Sequence, residues 1–388
     1  MNNPSKQTDA IDDSQNTQKT PVSVNVFVEN SGSMLGYVSQ GNDFHQSIDD
    51  ILTKMQANGV VSSKIHKYYI NSKCFEQKGI STTQFIKDMT KRTATTFKAD
   101  ASSTSMMALL DTVFHHTRKG DLSIFVSDCI ISPGKKQNAA QFVGAERNGI
   151  QLLAQCQAKN GNAIIVLRLL SDFNGYLYDC QDNKLKITNK RPFYIWIVGE
   201  RAIVEWAQEN IDFQKIAGFQ NKCVFTPVLS NINIQSRVLN TNSGKILDNS
   251  IQKAKISRNI NNKFCFTLGI DVRKYNLFGV YLTNKDNYTL TNAKYKIERI
   301  IEKKNDPQFT HLITLSTTSP VTQNVLQLSL KKPTLPSWVA TYNLDKNSCN
   351  QFFNQLDKTF AIKDVMEGVY EGYYGNVNVI ANTKIKIN

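Results

Sequence analysis

Hydrophobic and polar positions follow two different rhythms along this chain. From Pro21 to about Asp212 short apolar runs alternate with stripes at helical spacing. Val22–Val28 (VSVNVFV) is β-branched and mostly apolar, as a buried parallel strand requires, and it ends in the turn-rich ENSGSM. Apolar residues at 44, 48, 51, 52 and 55 predict a helix over Asp43–Ala57. A short strand (HKYYINSK) and a helix with a Thr-rich start (TTQFIKDMTKR) follow. Then come a helix over Ser105–Thr117, a buried strand over Asp121–Ser127, a helix near Ala145–Lys159 and a strand over Asn162–Leu170. After a polar excursion (YDCQDNKLKITNKR), a strand over Pro192–Val198 and a helix over Arg201–Asn210 complete the series. Buried strands alternating with helices predict an α/β domain built on a doubly wound, mostly parallel sheet.

From about Phe219 the helical stripes give way to short strand-like runs: CVFTPVL, KFCFTLGI, YTLTNAKYKIERII, HLITLST and VLQLSLKK, separated by Asn-rich turns. Such spacing predicts a β-rich domain, a sandwich or a mixed arrangement. A helical piece over Cys349–Tyr370 interrupts it before NVNVIANTKIKI returns to strand alternation. The expected organisation is a flexible tail over 1–20, an α/β domain over 21–212, and a β-rich accessory domain over 219–388 with a C-terminal helix.

Composition narrows this picture. Of 388 residues, 40% are hydrophobic and 10% aromatic, which excludes wholesale disorder. The net charge of +14 is compatible with acidic partners of any kind, but a solvated Lys-rich surface is the simpler account. Residues 237–304 concentrate fourteen Lys/Arg against five acids, interleaved with aromatics such as Phe264, Phe266, Tyr275 and Tyr295. A nucleic-acid surface is one reading. The other is a β domain with aromatics inside and lysines guarding strand edges, and the alternation in AKYKIERI favours it. Seven scattered cysteines without CxxC or Cys/His spacing indicate neither a zinc site nor a disulfide framework; several, such as Cys129 in SIFVSDCII and Cys265 in KFCFTLGI, sit inside apolar runs and are expected as buried small hydrophobes in a reducing compartment. The polar N-terminus lacks a signal-like apolar core, so a cytoplasmic location is expected.

Candidate chemistry lies in three loops of the first half. Glu29-Asn30-Ser31-Gly32-Ser33-Met34 follows the first strand, Ala101–Ser105 precedes the Met-Met helix, and Ser127-Asp128-Cys129 follows SIFV. In open α/β sheets ligands bind where loops leave the carboxyl ends of neighbouring strands. Strand-DxSGSM, a Thr before a central helix and strand-[ST]-D-G are the metal-ion-dependent adhesion site of von Willebrand factor A domains, which this chain resembles over about residues 20–212. Ser31, Ser33, Thr104 and Asp128 stand at the matching positions; Glu29 replaces the family's aspartate and Cys129 a glycine. The resemblance implies Mg²⁺ or Mn²⁺ held by Glu29, Ser31, Ser33, Thr104 and Asp128. It also implies an open metal position that takes an acidic side chain from a partner protein, as in adaptor proteins. Hydroxyls with few carboxylates suit such hard cations and leave them electrophilic.

Other features carry less. Asp172 could line the same face or simply cap a turn. His115-His116 ends a helix away from Cys129, which argues against a Cys–His enzyme. No GxGxxG, GxxxxGK[ST] or metalloprotease His/Glu spacing occurs. The alternative function is nucleic-acid association through the basic second domain, with the first domain a degenerate scaffold.

Overall fold

The computed structural model describes residues 20–38, 42–89, 105–134, 137–228, 232–257, 262–375 and 377–388. The expected tail, apart from Thr20, and the candidate ligand Thr104 lie outside the described residues.

Seven strands among the described residues form the first sheet: β1 (Val24–Glu29), β2 (Ile65–Ile70), β3 (Cys74–Glu76), β4 (Leu122–Ser127), β5 (Asn162–Tyr178), β6 (Lys184–Glu200) and β7 (Phe219–Phe225). Their order is β3-β2-β1-β4-β6-β5-β7. The helices of this half are α1 (Asp43–Ala57), α2 (Thr82–Asp88), α3 (Met106–His116), α4 (Ala139–Lys159) and α5 (Arg201–Asn210). Side-chain caps set several of their starts: Asn42 accepts from the His45 amide, Ser105 from that of Ala108 and Asn138 from that of Gln141.

The expected parallel sheet is realised only at its centre. β1 pairs parallel with β2 and with β4, whereas β3, β6, β5 and β7 join antiparallel. The cause is the segment read from the sequence as a polar excursion. It continues β5 and β6 into one hairpin of two 17-residue strands, and β6 lies between β4 and β5. From Leu170↔Pro192 to Tyr178↔Lys184 the two strands project as an arm that pairs only with itself. An arm with solvent on one side has no need of a continuous apolar run, and its polar residues hide its strand character.

Two further sheets follow. One takes β8 (Ile232–Asn233), β10 (Lys245–Leu247), β11 (Ser250–Gln252), β13 (Tyr288–Leu290), β16 (Asn324–Lys331) and β19 (Val379–Ile387); the other takes β9 (Ser236–Thr241), β12 (Phe264–Ile270), β14 (Lys296–Glu302) and β15 (His311–Thr317). They share one apolar cluster to which Phe264, Phe266, Leu315, Leu328 and Ile385 contribute. Tyr275, Tyr288 and Tyr295 are buried in it as well. The aromatics interleaved with the basic run are therefore mostly core, and base stacking would have to manage without them.

The last helical pieces belong to the first core. α6 (Ser337–Thr341), the short pair β17 (Asn343–Leu344) and β18 (Thr359–Phe360), and α7 (Ile362–Tyr374) all contribute to the cluster that covers the first sheet. α7 packs on α4 at backbone distance. A Cβ on Gly368 would stand 2.7 Å from the Arg147 carbonyl oxygen, and one on Gly372 2.6 Å from that of Gln151. The chain thus leaves the first core after β7, builds two sheets, and returns.

One cysteine expectation is corrected. Cys180, at the hairpin turn, and Cys349 are joined in a disulfide across 169 residues; Cys129 is free and buried as expected, whereas Cys265 is only half-buried and Cys156 is exposed. Spacing cannot show a pair that only tertiary placement brings within reach. No helix among the described residues is long and apolar enough to cross a membrane.

Candidate functional site

β1 and β4 run side by side in register from Val24↔Leu122 to Val28↔Val126. The loops that follow Glu29 and Ser127 therefore emerge together at the carboxyl ends of two parallel strands. That geometry brings Glu29, Ser31, Ser33 and Asp128 to one place. Thr104 falls outside the described residues.

Ser127 ties the two loops together. Its hydroxyl donates to Glu29 Oε2 at 2.5 Å and accepts from the Cys129 amide at 2.8 Å. Cys129, where the resemblance expects a glycine, adopts a left-handed φ of 55°, a conformation that glycine reaches without strain. Its thiol accepts from Trp196 Nε1 at 3.3 Å, and burial pushes its pKa far above the ordinary thiol range, so it is a packing group and not a nucleophile. Ser31 Oγ and Ser33 Oγ lie 3.1 Å apart.

The two acids are buried, Glu29 at 2% and Asp128 at 1% exposure. Burial, and then the neighbouring Asp128, push Glu29 up to about 8 against the pull of the Ser127 and Ser31 hydroxyls. Asp128 is raised too, chiefly by burial; the Ser33 hydroxyl, the Ile130 amide and the Arg191 guanidinium oppose the rise. Asp128 Oδ1 accepts from the Ile130 amide at 3.2 Å. Glu29 Oε1 and Asp128 Oδ2 have no hydrogen-bond partner among the described residues.

Buried carboxylate oxygens without donors are costly, and two coupled acids cannot both ionise cheaply without a counter-charge. A divalent cation would remove both penalties. The donor set of two carboxylates and two hydroxyls is all oxygen, as Mg²⁺ and Mn²⁺ prefer. Among the described residues no group of three His, Cys, Asp or Glu side chains gathers to hold a metal, so hydroxyls would have to complete this shell.

The site is also roofed. Tyr37 follows the 3-10 turn Ser33–Gly36 and donates its hydroxyl to the Pro192 carbonyl at 2.6 Å. The arm lies on that turn so closely that a Cβ on Gly36 would meet the Phe173 ring at 2.2 Å, and one on Gly175 the Gly36 Cα at 2.6 Å. At its tip Ser132 Oγ, in the third loop, donates to Asp182 at 3.2 Å. The arm thus lies over the turn that follows Ser33 and reaches the third loop, and both acids are buried beneath.

Three buried residues on these strands have no assignment from sequence. Ser127 was noted only as part of its loop. Arg168 and Arg191 are buried on the hairpin without a carboxylate in salt-bridge contact among the described residues. Arg191 Nη1 donates to the Leu356 carbonyl at 2.6 Å and Arg168 Nη2 to that of Asp357 at 3.4 Å, while Arg168 stacks 3.5 Å from the Tyr342 ring centroid. Together they clamp the stretch that leads into β18. Buried arginine is uncommon enough that composition offers no signal for it. Asp172 is exposed on the arm and contributes its carbonyl, not its carboxylate, to Asn42. His115 is exposed at the end of α3, 3.0 Å from Asp111. No protein-family model and no curated protein matches this chain.

Proposed function

We propose that the chain is a cytoplasmic metal-dependent binding protein of von Willebrand factor A type. In this reading Glu29, Ser31, Ser33 and Asp128, with Thr104 from the second loop, hold Mg²⁺ or Mn²⁺, and the metal offers a position to an acidic side chain of a partner protein. The observation that carries it is the pair of buried oxygens, Glu29 Oε1 and Asp128 Oδ2, that have no hydrogen-bond partner among the described residues, on two neighbouring acids with the Ser31 and Ser33 hydroxyls in the adjoining loop. The doubly wound A-type fold belongs to the same proposal. It rests on the parallel β2-β1-β4 core and the order of the motif loops, with the antiparallel hairpin as a departure. When bound, the metal supplies a Lewis-acidic centre for a carboxylate. The residues do the rest: Ser127 fixes the Glu29 carboxylate, the Ile130 amide fixes Asp128, and Arg191 moderates the local negative charge.

The test is a melting curve of the whole chain in chelator and in millimolar Mg²⁺ or Mn²⁺. A ligand at a hundred times its Kd stabilises by about 2.7 kcal/mol, a readily measured shift. The wild type is expected to rise in melting temperature and Asp128→Ala not to respond. A wild type unmoved by either metal overturns the proposal.

A further inference from the structure

A covered metal site cannot grip a partner until something uncovers it. Two contacts place the hairpin tip, residues 178–184, against both ligand loops, and a covalent bond ties it to the body of the protein. Tyr178 packs on Gly32 in the first loop, its ring 3.3 Å from where a Cβ would stand. Asp182 accepts from Ser132 in the third loop. Between them Cys180 is bonded to Cys349.

The tip is a compact unit. Its turn is held internally: Asp179 accepts from the amides of Gln181 at 2.8 Å and Asn183 at 2.9 Å and from the Asn183 side chain at 2.9 Å. Its links to the ligand loops are one hydrogen bond and one ring contact. Cys349, by contrast, opens the 3-10 helix Cys349–Asn354, which is anchored by buried Phe352. The covalent bond is therefore the strongest tie between the tip and the body of the protein at this point. It is also reachable. Cys349 lines a cleft of about 480 Å³ with Asp179, Gln181, Asn183, Asn347 and Asn350.

We propose that residues 178–184 form a redox-latched lid over the Glu29–Asp128 site, with the Cys180–Cys349 disulfide as the latch. The proposal rests on the metal-site reading only for what the lid governs. The chemistry is thiol–disulfide exchange with a dithiol. One thiolate of the dithiol attacks Cys349 Sγ from the cleft and expels Cys180 as a thiolate. The second thiol of the dithiol then displaces Cys349. The dithiol leaves as a disulfide, having supplied two electrons, and Cys180 and Cys349 end as two thiols. In a reducing compartment the lid is thereby released and a partner's carboxylate gains access; the reverse exchange with a small-molecule disulfide, which takes up the two electrons and leaves as two thiols, closes it. Disulfides of this kind in reducing compartments are typically transient and redox-sensing.

Hydrogen exchange read by mass spectrometry on the full chain tests this, comparing air-oxidised protein, protein treated with dithiothreitol, and the Cys180→Ser/Cys349→Ser double variant. Peptides spanning 30–38, 128–134 and 176–186 are expected to exchange at least about tenfold faster in the reduced and doubly substituted forms, while β12 and β15 stay unchanged. Equal exchange in all three forms overturns the latch. Acceleration that extends to β12 and β15 also overturns it, because the disulfide would then brace the whole fold. Peptide mapping of the oxidised protein without reduction must recover the Cys180–Cys349 link; its absence refutes the proposal as well. Mn²⁺ binding measured on the same samples keeps the two claims apart. Faster exchange without Mn²⁺ binding in either state sinks the metal site and leaves the lid, whereas Mn²⁺ binding with unchanged exchange does the reverse.

Discussion

Glu29 and Glu298 are both strand carboxylates, yet the protein treats them in opposite ways. Glu298, on β14, accepts from Ser316 at 2.5 Å and Lys263 at 3.0 Å and has Lys296 at 3.5 Å. The Ser316 hydroxyl and the lysines hold it down to about 2. Glu29, at the end of β1, accepts from one hydroxyl on Oε2, has no hydrogen-bond partner on Oε1 among the described residues, and is buried beside another acid; burial first, and then that acid, raise it to about 8. The β-rich half satisfies its charge with its own side chains at the surface. The head of the first sheet leaves its charges buried and incomplete. A fold can tolerate that where the deficit is small against the core, and such deficits concentrate where ligands bind.

This contrast can be tested most severely at the roof. Phe173→Ala removes the ring that sits on Gly36 and beside Tyr37, and is expected to cost about 3–5 kcal/mol in urea unfolding. Val280→Ala, at a position 87% exposed in the other half, should stay within about 0.5 kcal/mol. If both changes prove equally mild, the arm is not packed as described.

The next test removes one of the two incomplete acids. Asp128→Asn eliminates a buried charge without a full complement of donors, so in chelator at neutral pH the variant is expected to be more stable than wild type by about 1–3 kcal/mol. A loss of stability instead would show that Asp128 is a satisfied structural group like Glu298. The smallest effect belongs to Glu298 itself. Glu298→Gln is expected to lose no more than about 1 kcal/mol, since the group is partly solvated and its pairs are screened. A folded pKa near 2 lies below the ordinary 4.5, so the stabilisation is complete above about pH 4.5 and fades as the pH falls toward 2. The gap in melting temperature between wild type and variant should close over that window; a gap constant from pH 6 to pH 2 would detach it from the Glu298 charge.

Much of the molecule could be read in the chain itself. Local periodicity suffices where an element buries one face: α1 and α5 match their expected bounds, and β1, β2, β4, β12, β15 and β16 lie within a few residues of theirs. The loops at the ends of β1 and β4 could be placed for the same reason, since an SxS turn after a buried strand and an Asp after another are local patterns. The hairpin was not legible, because its outer half is polar and its partner strand is its own continuation. β7, taken from sequence as the opening of the β-rich part, pairs with β5; the aromatic-rich C-terminal segment returns to pack on α4.

What the sequence alone determined is which residue types stand at the ends of β1 and β4, and therefore which chemistry that corner can support. Only the tertiary structure decided that Glu29 and Asp128 are buried, that two of their oxygens find no donor among the described residues, and that Cys180 meets Cys349. The physical reason is that desolvation, hydrogen-bond satisfaction and disulfide reach depend on neighbours distant in the chain. Local patterns encode strand and helix faces, not what comes to lie on top of them.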